Sequence, residues 1–332
     1  MILKKILLLT TGGTIACTMG GNGYTPTLDG NALLSYVPNI KSLADISVVS
    51  VLNVDSSNMQ PEDWITIAQA IRDHIGRYDG IVVLHGTDTM AYTSSAVSFM
   101  TLGITKPVIF TGSQIPIVEE NSDGRKNLYD AVCTACSSGL QGIYVVFGGK
   151  ILSGCCTSKY DTTDLEAFQS INRGEIGCVS NGSITIYKHP PLPSSEPKWH
   201  IAVDNRVLLW KLTPGVCPDL LDEKAVETYK IIILEAFGIG GLPMLRNSFL
   251  PKIQQWREKG ILTVVTTQCY HGRCDMSVYE AGRLAVNRGA VCAGNMTREA
   301  LLTKLMWLLS ITDKTDEIVE KLAYNYCSEF GL

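Results

Sequence analysis

The sequence predicts a two-domain α/β protein. The larger N-terminal domain is expected to hold a mostly parallel, doubly wound sheet, and a smaller α/β domain to follow it. Short apolar runs alternate with amphipathic segments, which is the pattern of strand-helix-strand units. At 332 residues the chain is also longer than one ordinary domain, which favours two compact units.

Five apolar runs predict the main strands of the first domain. The first contains two lysines and is followed by no small-residue cleavage site, so it is interpreted as a buried strand and not as a secretory signal. The runs are ILKKILLLT (Ile2 to Thr10), ISVVSVLNV (Ile46 to Val54), GIVVLH (Gly80 to His85), PVIFTG (Pro107 to Gly112) and IYVVFGG (Ile143 to Gly149).

Three segments between these runs are predicted to be helices. PEDWITIAQAIRDHIGRY, from Pro61, carries proline and two acids in its first turn, as helix starts often do. YTSSAVSFMTLG and DGRKNLYDAVCTACSSGL are the other two.

The domain boundary is predicted at the proline-rich stretch KHPPLPSSEPKW, Lys188 to Trp199, which contains four prolines in twelve residues. Prolines at this density exclude a helix or a central strand and favour a surface crossover or hairpin. We therefore predict domains at 1–190 and 216–332, joined by a linker at 191–215. Beyond it, YKIIILEAFGIGG and ILTVVTTQC continue the strand pattern, and TREALLTKLMWLLS predicts a core-packed helix.

Composition narrows the class of partner. The 28 basic and 32 acidic residues give a net charge of -4, which argues against nucleic acid or an anionic membrane and favours a small-molecule ligand. No run approaches the ~20 apolar residues of a membrane span. The 11 cysteines are scattered, which is typical of a reducing cytosol, and no second CxxC or histidine cluster completes a metal site.

Polar residues follow four of the predicted strands. In open α/β sheets the carboxyl ends of the strands meet at one ligand crevice. The segments there are TTGGTIA, DSSN, GTDT and TGSQ, which provide hydroxyls and carboxylates but neither a P-loop lysine nor GxGxxG. They suit a small zwitterion, and an attacking group would have to be a hydroxyl assisted by Asp88 or a lysine. The glycine-rich CTMGGNGYTPTLDG after Thr14 predicts a mobile lid that carries Tyr24.

These motifs together resemble the bacterial-type L-asparaginases, and more closely their cytosolic type I branch. TTGGTIA, LHGTDTMAYTSSA, TGSQIP, SDGRKNL and SKYDTTDLEAFQS carry the resemblance, which extends over essentially the full chain. It implies hydrolysis of L-asparagine to L-aspartate and ammonia by double displacement, without cofactor or metal. It also implies a cytoplasmic homodimer or homotetramer.

The resemblance assigns the catalytic roles. Thr14 would attack the side-chain amide to give a β-aspartyl enzyme, and Tyr24 would assist its proton. Thr87, Asp88 and Lys159 resemble the family's second triad, and whether Thr14 or Thr87 attacks first stays open, with Thr14 preferred because the predicted lid follows it. Backbone N–H groups near Thr87 would hold the oxyanion.

The family's substrate site maps onto four further positions. Asp55, Ser56 and Ser57 would bind the α-groups of the substrate, together with Asp88 on its ammonium, and Ser113 would lie near the side-chain amide. Some type I members also bind asparagine at a regulatory site in the C-terminal domain. The segment Thr267, Gln268 and Cys269 resembles part of it.

Two features depart from the family pattern. Glu235 stands where members with the regulatory site have an arginine, and FGIGGLPM replaces the stretch from which the secreted branch lends an asparagine to its neighbouring subunit. Three other functions stay open. They are a glutaminase-leaning enzyme, a non-catalytic amino-acid sensor, and the asparaginase-like subunit of a tRNA-dependent amidotransferase, which carries an extension before the first strand.

Overall fold

The computed structural model describes residues 3–21, 23–188, 196–221 and 223–331. The chain forms two compact units, Met1–Ile201 and Ala202–Leu332. Residues 189–195 of the predicted proline-rich crossover lie outside the described residues.

The first unit contains strands and helices close to the predicted ones, with several short strands in addition. Its strands are β1 (Lys4–Gly12), β2 (Cys17–Gly20), β3 (Gly23–Pro26), β4 (Ala44–Val54), β5 (Gly80–Leu84), β6 (Thr101–Leu102), β7 (Pro107–Thr111), β8 (Gly142–Phe147), β9 (Lys150–Ser153), β10 (Thr157–Lys159), β11 (Phe168–Ser170), β12 (Gly177–Ser180), β13 (Ser183–Ile186) and β14 (Lys198–Trp199). Its helices are α1 (Gly30–Ser35), α2 (Pro61–Ile75), α3 (Met90–Met100) and α4 (Gly124–Ala135).

The main sheet has the order β13-β12-β9-β8-β7-β5-β1-β4. Strands β4, β1, β5, β7 and β8 are parallel, whereas β9, β12 and β13 continue the sheet antiparallel. The predicted mostly parallel sheet is confirmed. The chain goes from β1 to β4 on one side and then to β5 on the other, so the strand order reverses between β1 and β5, where such sheets bind ligands.

Both faces of this sheet are covered. Ile6 and Leu8 of β1 share one core cluster with Leu33 of α1 and Leu128 of α4. The intervening Leu7 and Leu9 are also buried, and because alternate side chains of a strand point to opposite faces, they belong to the other layer. This burial on both sides explains the continuous apolar runs in the sequence.

Close backbone approach fixes the carboxyl ends of β1 and β5. Gly12 and Gly13 have φ values of 100° and 80°, which favour glycine. A Cβ on Gly13 would lie 2.4 Å from the Gly86 nitrogen, and a Cβ on Gly86 would lie 2.5 Å from Ser56 Oγ. The loops after β1, β4 and β5 therefore meet through their backbones, with no room for side chains at the two glycines.

The segment after Thr14, predicted as a mobile lid, is an antiparallel hairpin formed by β2 and β3. Met19 pairs with Tyr24 across it, and the hydroxyls of Thr18 and Thr27 are 2.8 Å apart at its base. The glycines lie at the turn of the hairpin, where they favour a tight reversal.

The second unit contains one parallel sheet in the order β15-β16-β17-β18. Its strands are β15 (Val207–Lys211), β16 (Ile231–Ala236), β17 (Leu262–Thr267) and β18 (Ala290–Cys292), and its helices are α5 (Glu223–Val226), α6 (Leu250–Glu258), α7 (Glu280–Asn287), α8 (Arg298–Leu309) and α9 (Thr315–Leu322). β15 falls within the predicted 191–215 linker, because this half-buried strand pairs with β16 along its whole length.

A buried ion pair holds the C-terminal segment against α8. Lys304 and Glu329 have fully buried side chains, and Lys304 Nζ lies 2.6 Å from Glu329 Oε1. Lys304 also donates to the carbonyls of Leu322 and Tyr324, at 2.8 and 2.6 Å. Because charged groups this deep are tolerated only when they are paired and hydrogen bonded, the pair depends on both partners.

Lys304→Met is expected to lower the free energy of unfolding by about 3 kcal/mol, since it leaves the Glu329 carboxylate buried without its partner. Urea denaturation followed by circular dichroism measures the loss. Lys304→Met combined with Glu329→Gln is the control and is expected to be more stable than the single variant. Equal stability of the single and double variants would contradict this role.

β5 is followed by a completely buried histidine. His85 Nδ1 lies 2.7 Å from the carbonyl oxygen of Gly86, and its Nε2 has no hydrogen-bond partner. Burial lowers the pKa of His85 to about 4, although the hydrogen bond and Asp63 oppose this shift. The neutral ring therefore donates from Nδ1 to Gly86. This agrees with a packing role at the strand end.

Acidification is expected to destabilise the protein through His85. Its folded pKa lies below its ordinary 6.5, so the stabilisation from keeping it neutral is complete above that value and declines as the pH falls toward 4. His85→Asn retains a donor for Gly86 and does not titrate. Between about pH 7 and about pH 4.5, we expect the wild type to lose about 2 kcal/mol more than the variant in urea unfolding. Equal losses would contradict the assignment.

Candidate active site

Three loops converge at the β1/β5 switch point. The loop after β4 contributes Ser56, which is buried at the centre of the contacts. The Asp88 backbone N–H donates to Ser56 Oγ at 3.2 Å, and Thr89 Oγ1 donates to the Ser56 carbonyl at 2.7 Å. Ser56 thus fixes the loop after β5 to the loop after β4. One backbone N–H near Thr87, that of Asp88, is therefore already used and less suited to an oxyanion.

Thr14 begins a short 3-10 turn, Thr14–Ala16, directly after β1. This threonine is half-buried, and within the described part of the chain no hydrogen bond engages its hydroxyl. Gly13, which precedes it, packs against the Gly86 backbone, so Thr14 is held close to the loop that carries Thr87. A hydroxyl without a hydrogen-bond partner at such a position is available to react.

Thr87, Asp88 and Lys159 form one hydrogen-bonded array. Lys159 Nζ donates to Thr87 Oγ1 at 2.8 Å and to Asp88 Oδ1 at 2.7 Å. Thr87 is 4% exposed, whereas the Asp88 side chain is 61% exposed and that of Lys159 16%. Lys159 comes from β10, far along the chain, so the tertiary structure assembles the three groups at the surface of the sheet edge.

Gln114 is a further member of this array, and its role was not predicted from the sequence. Thr87 Oγ1 donates to Gln114 Oε1 at 3.0 Å. The Gln114 backbone N–H donates to both carboxylate oxygens of Asp123, at 3.1 and 3.0 Å. Gln114 follows Ser113 in the TGSQ segment, so its position after a strand was the signal that could have found it.

Asp123 and Asn127, in the SDGRKNL motif, hold the loop after β7. Asp123 is almost fully buried and also accepts from the Ile115 backbone N–H at 3.0 Å. Asn127 Nδ2 donates to Asp123 Oδ2 and to the Gly112 carbonyl, both at 3.0 Å. The motif therefore supports the loop that carries Ser113 and Gln114.

Tyr24 does not have its phenol hydrogen bonded to Thr14. The Tyr24 hydroxyl donates to Glu119 Oε1 at 2.8 Å, and its side chain is 45% exposed. This hydrogen bond to Glu119 raises the pKa of Tyr24 above its ordinary value. The phenol therefore keeps its proton, and the hairpin of β2 and β3 is tied to the loop after β7.

The predicted substrate residues lie on the same loops. Asp55 Oδ1 accepts from the backbone N–H and the hydroxyl of Ser57, at 2.9 and 2.7 Å. Both residues are exposed. Ser113 is buried, and its hydroxyl donates to the Ile115 carbonyl at 2.7 Å. Ser57 and Ser113 thus shape the loops, while the second oxygen of Asp55 is accessible to a cation.

The candidate regulatory residues lie at the end of β17 in the second unit. Gln268 Nε2 donates to the carbonyls of Leu212 and Glu235, at 2.6 and 2.9 Å. Thr267 Oγ1 donates to a backbone carbonyl and accepts from the Cys269 backbone N–H at 3.0 Å. These polar groups therefore already serve the backbone of their own unit.

Glu235 occupies a buried site beside them. Arg298 Nη1 lies 3.1 Å from Glu235 Oε1, and its guanidinium is 5.0 Å from the centre of the Tyr270 ring. An arginine is thus present next to this glutamate, supplied from the start of α8 and not from β16.

Two absences among the described residues bear on ligand and membrane classes. Across 3–21, 23–188, 196–221 and 223–331, no group of three or more His, Cys, Asp or Glu side chains is placed to hold a metal ion. In the same ranges, none of the helices has the length and apolar character needed to span a bilayer.

Comparison with known proteins identifies the family. Residues 5–192 match the family described as Asparaginase, N-terminal, and residues 206–322 match the Glutaminase/Asparaginase C-terminal domain. The L-asparaginase of Thermococcus kodakarensis is 41% identical over 327 residues, 98% of each chain. Its solved structure superposes with a TM-score of 0.93 at 39% identity, covering 98% of this chain and 99% of that one.

Two further relatives bracket the family. L-asparaginase 1 of Escherichia coli K12 is 34% identical over 333 residues, 98% of each chain. A glutamyl-tRNA(Gln) amidotransferase polypeptide of Methanobrevibacter smithii is 31% identical over 341 residues, which are 99% of this chain but 77% of that polypeptide. With both family domains matched and a full-length relative at 41% identity, the chain belongs to the L-asparaginase family, as its threonine motifs predicted.

Proposed function

We propose that this protein hydrolyses L-asparagine to L-aspartate and ammonia, with Thr14 as the nucleophile. The observation that carries the proposal is the contrast between two threonines at the switch point. The Thr14 hydroxyl is open, whereas Thr87 is fixed between Lys159 and Gln114. Membership of the L-asparaginase family supports the choice of reaction.

In the first half of the proposed reaction, Thr14 Oγ1 bonds to the side-chain amide carbon of asparagine. The amide C–N bond then breaks, the nitrogen takes up a proton, and ammonia leaves a β-aspartyl ester on Thr14. Tyr24 assists by relaying the hydroxyl proton, which requires its phenol to turn from Glu119 toward Thr14. Splitting a hard hydrolysis into two easier displacements is the advantage of such a nucleophile.

In the second half, water adds to the ester carbon and the bond to Thr14 Oγ1 breaks, releasing aspartate and returning the proton to Thr14. The array of Thr87, Lys159 and Asp88 positions this water. A lysine held by a carboxylate at 2.7 Å also places positive charge beside the developing oxyanion.

Substrate binding follows from the charges at the rim. The Asp88 carboxylate is largely exposed and Asp55 is exposed beside it, so two carboxylates can accept the substrate ammonium. The buried Ser56 and Ser113 close the floor of the site. The carboxylate of the substrate would meet the Ser57 hydroxyl and loop N–H groups.

Thr14→Ala is expected to reduce ammonia release from L-asparagine by about three orders of magnitude or more, because the attacking oxygen is lost. Initial rates from a coupled ammonia assay measure it. Thr66→Ala is the matched control, since the Thr66 hydroxyl bonds only its own helix at 3.1 Å and should leave the rate unchanged.

Thr87→Ala separates the two threonines. With Thr14 as nucleophile, this variant still forms the β-aspartyl enzyme, which intact-protein mass spectrometry detects after acid quench. An active Thr14→Ala with an adduct on Thr87 would reverse the assignment. A wild type that releases no ammonia from asparagine or glutamine would favour the amino-acid sensor instead.

Selectivity for asparagine over glutamine is part of the proposal. One methylene in a pocket is worth only about 1 to 3 kcal/mol, so moderate glutamine hydrolysis is compatible with it. Comparison of kcat/KM for the two substrates tests it, and a higher value for glutamine would favour the glutaminase-leaning alternative. A cytoplasmic homodimer or homotetramer and the regulatory role of Thr267, Gln268 and Cys269 stay predictions.

A further inference from the structure

We propose that Gln114 is a positioning residue, which fixes the direction of the Thr87 hydroxyl proton and thereby orients the water that hydrolyses the β-aspartyl ester. This inference rests on the proposed function. It starts from one oxygen, Thr87 Oγ1, which is almost fully buried and contacts both Lys159 and Gln114.

The donors and acceptors around Thr87 determine where its single proton points. Lys159 Nζ carries only donors, so at 2.8 Å it can only donate to Thr87 Oγ1. The Thr87 proton must therefore point elsewhere, and Gln114 Oε1 accepts it at 3.0 Å. One lone pair of Thr87 Oγ1 remains, and it can accept a hydrogen bond from a third group.

Gln114 is itself held so that its oxygen faces Thr87. The Gln114 Nε2 group donates to the Asp164 carbonyl at 3.4 Å, which places the amide oxygen at the other end. The backbone of Gln114 is fixed by two hydrogen bonds to Asp123. Both ends of this side chain are thus constrained, by the loop after β10 and by the start of α4.

The direction of this proton matters for the attacking water. With its proton on Gln114, Thr87 accepts a hydrogen bond from the water, whose own lone pair is then available to the ester carbon. Without that acceptor, the Thr87 hydroxyl can donate to the water and engage the lone pair that must attack. The effect of Gln114 should therefore fall on ester hydrolysis and not on ester formation by Thr14.

The decisive comparison is Gln114→Met, which has nearly the same length but no acceptor at the amide position. We expect kcat for asparagine to fall by about 10 to 100-fold, with KM falling in parallel so that kcat/KM changes little. The β-aspartyl enzyme should accumulate and appear by mass spectrometry after acid quench. A purely structural defect would instead lower kcat/KM and leave no adduct.

Two further variants complete the experiment. Gln254→Met removes an exposed glutamine amide on α6, which contacts Glu258 at 3.1 Å, and should retain wild-type kinetics. Gln114→Glu keeps an oxygen that accepts the Thr87 proton and should recover a larger kcat than Gln114→Met. Thermal unfolding of each variant identifies any that fail to fold, and Gln114→Glu still tests the inference if Gln114→Met does.

The outcomes separate this inference from the proposed function. An active wild type with unchanged kcat in Gln114→Met overturns the role of Gln114 alone, as does equal loss of kcat and kcat/KM without an adduct. A wild type that forms no aspartate from asparagine overturns the proposed function, and the role of Gln114 falls with it.

Discussion

The backbone contact between the ends of β1 and β5 is the constraint on which the site depends. Gly13 and Gly86 approach so closely that neither has room for a Cβ, and Ser56 fills the remaining space from the loop after β4. Three loops from separate parts of the chain are thereby fixed together without side-chain flexibility. Thr14 and Thr87, each one residue beyond these glycines, acquire defined positions because the backbone before them cannot move independently.

Fixed backbones leave the chemistry to hydrogen bonding, which treats the two threonines differently. The Thr14 hydroxyl is open, whereas the Thr87 hydroxyl donates and accepts within a buried array. Buried polar groups with complete partners hold one arrangement, and an unpartnered hydroxyl near the surface is able to reorient toward a substrate. The division of labour between nucleophile and water-positioning group follows from this difference in partners.

The support of the array lies one layer further from the surface. Asp123 collects backbone N–H groups of the loop after β7, and Asn127 joins that carboxylate to the end of β7. His85 stays neutral behind the loop after β5, because a charged ring would be buried without compensation. A motif without chemistry of its own thus fixes the groups that have it.

The sequence by itself determined the parallel sheet, the helices from Pro61 and in the tail, and the loops that carry the reactive residues, since apolar periodicity and turn residues act locally. It also identified Thr14, Thr87 and Lys159 through motifs of high specificity. Only the tertiary structure decided the partners of those residues. Tyr24 binds Glu119, Gln114 binds Thr87, and β15 forms where a linker was predicted. Such pairings join residues far apart in the chain, and hydrogen-bond direction depends on all neighbours at once, which no local pattern records.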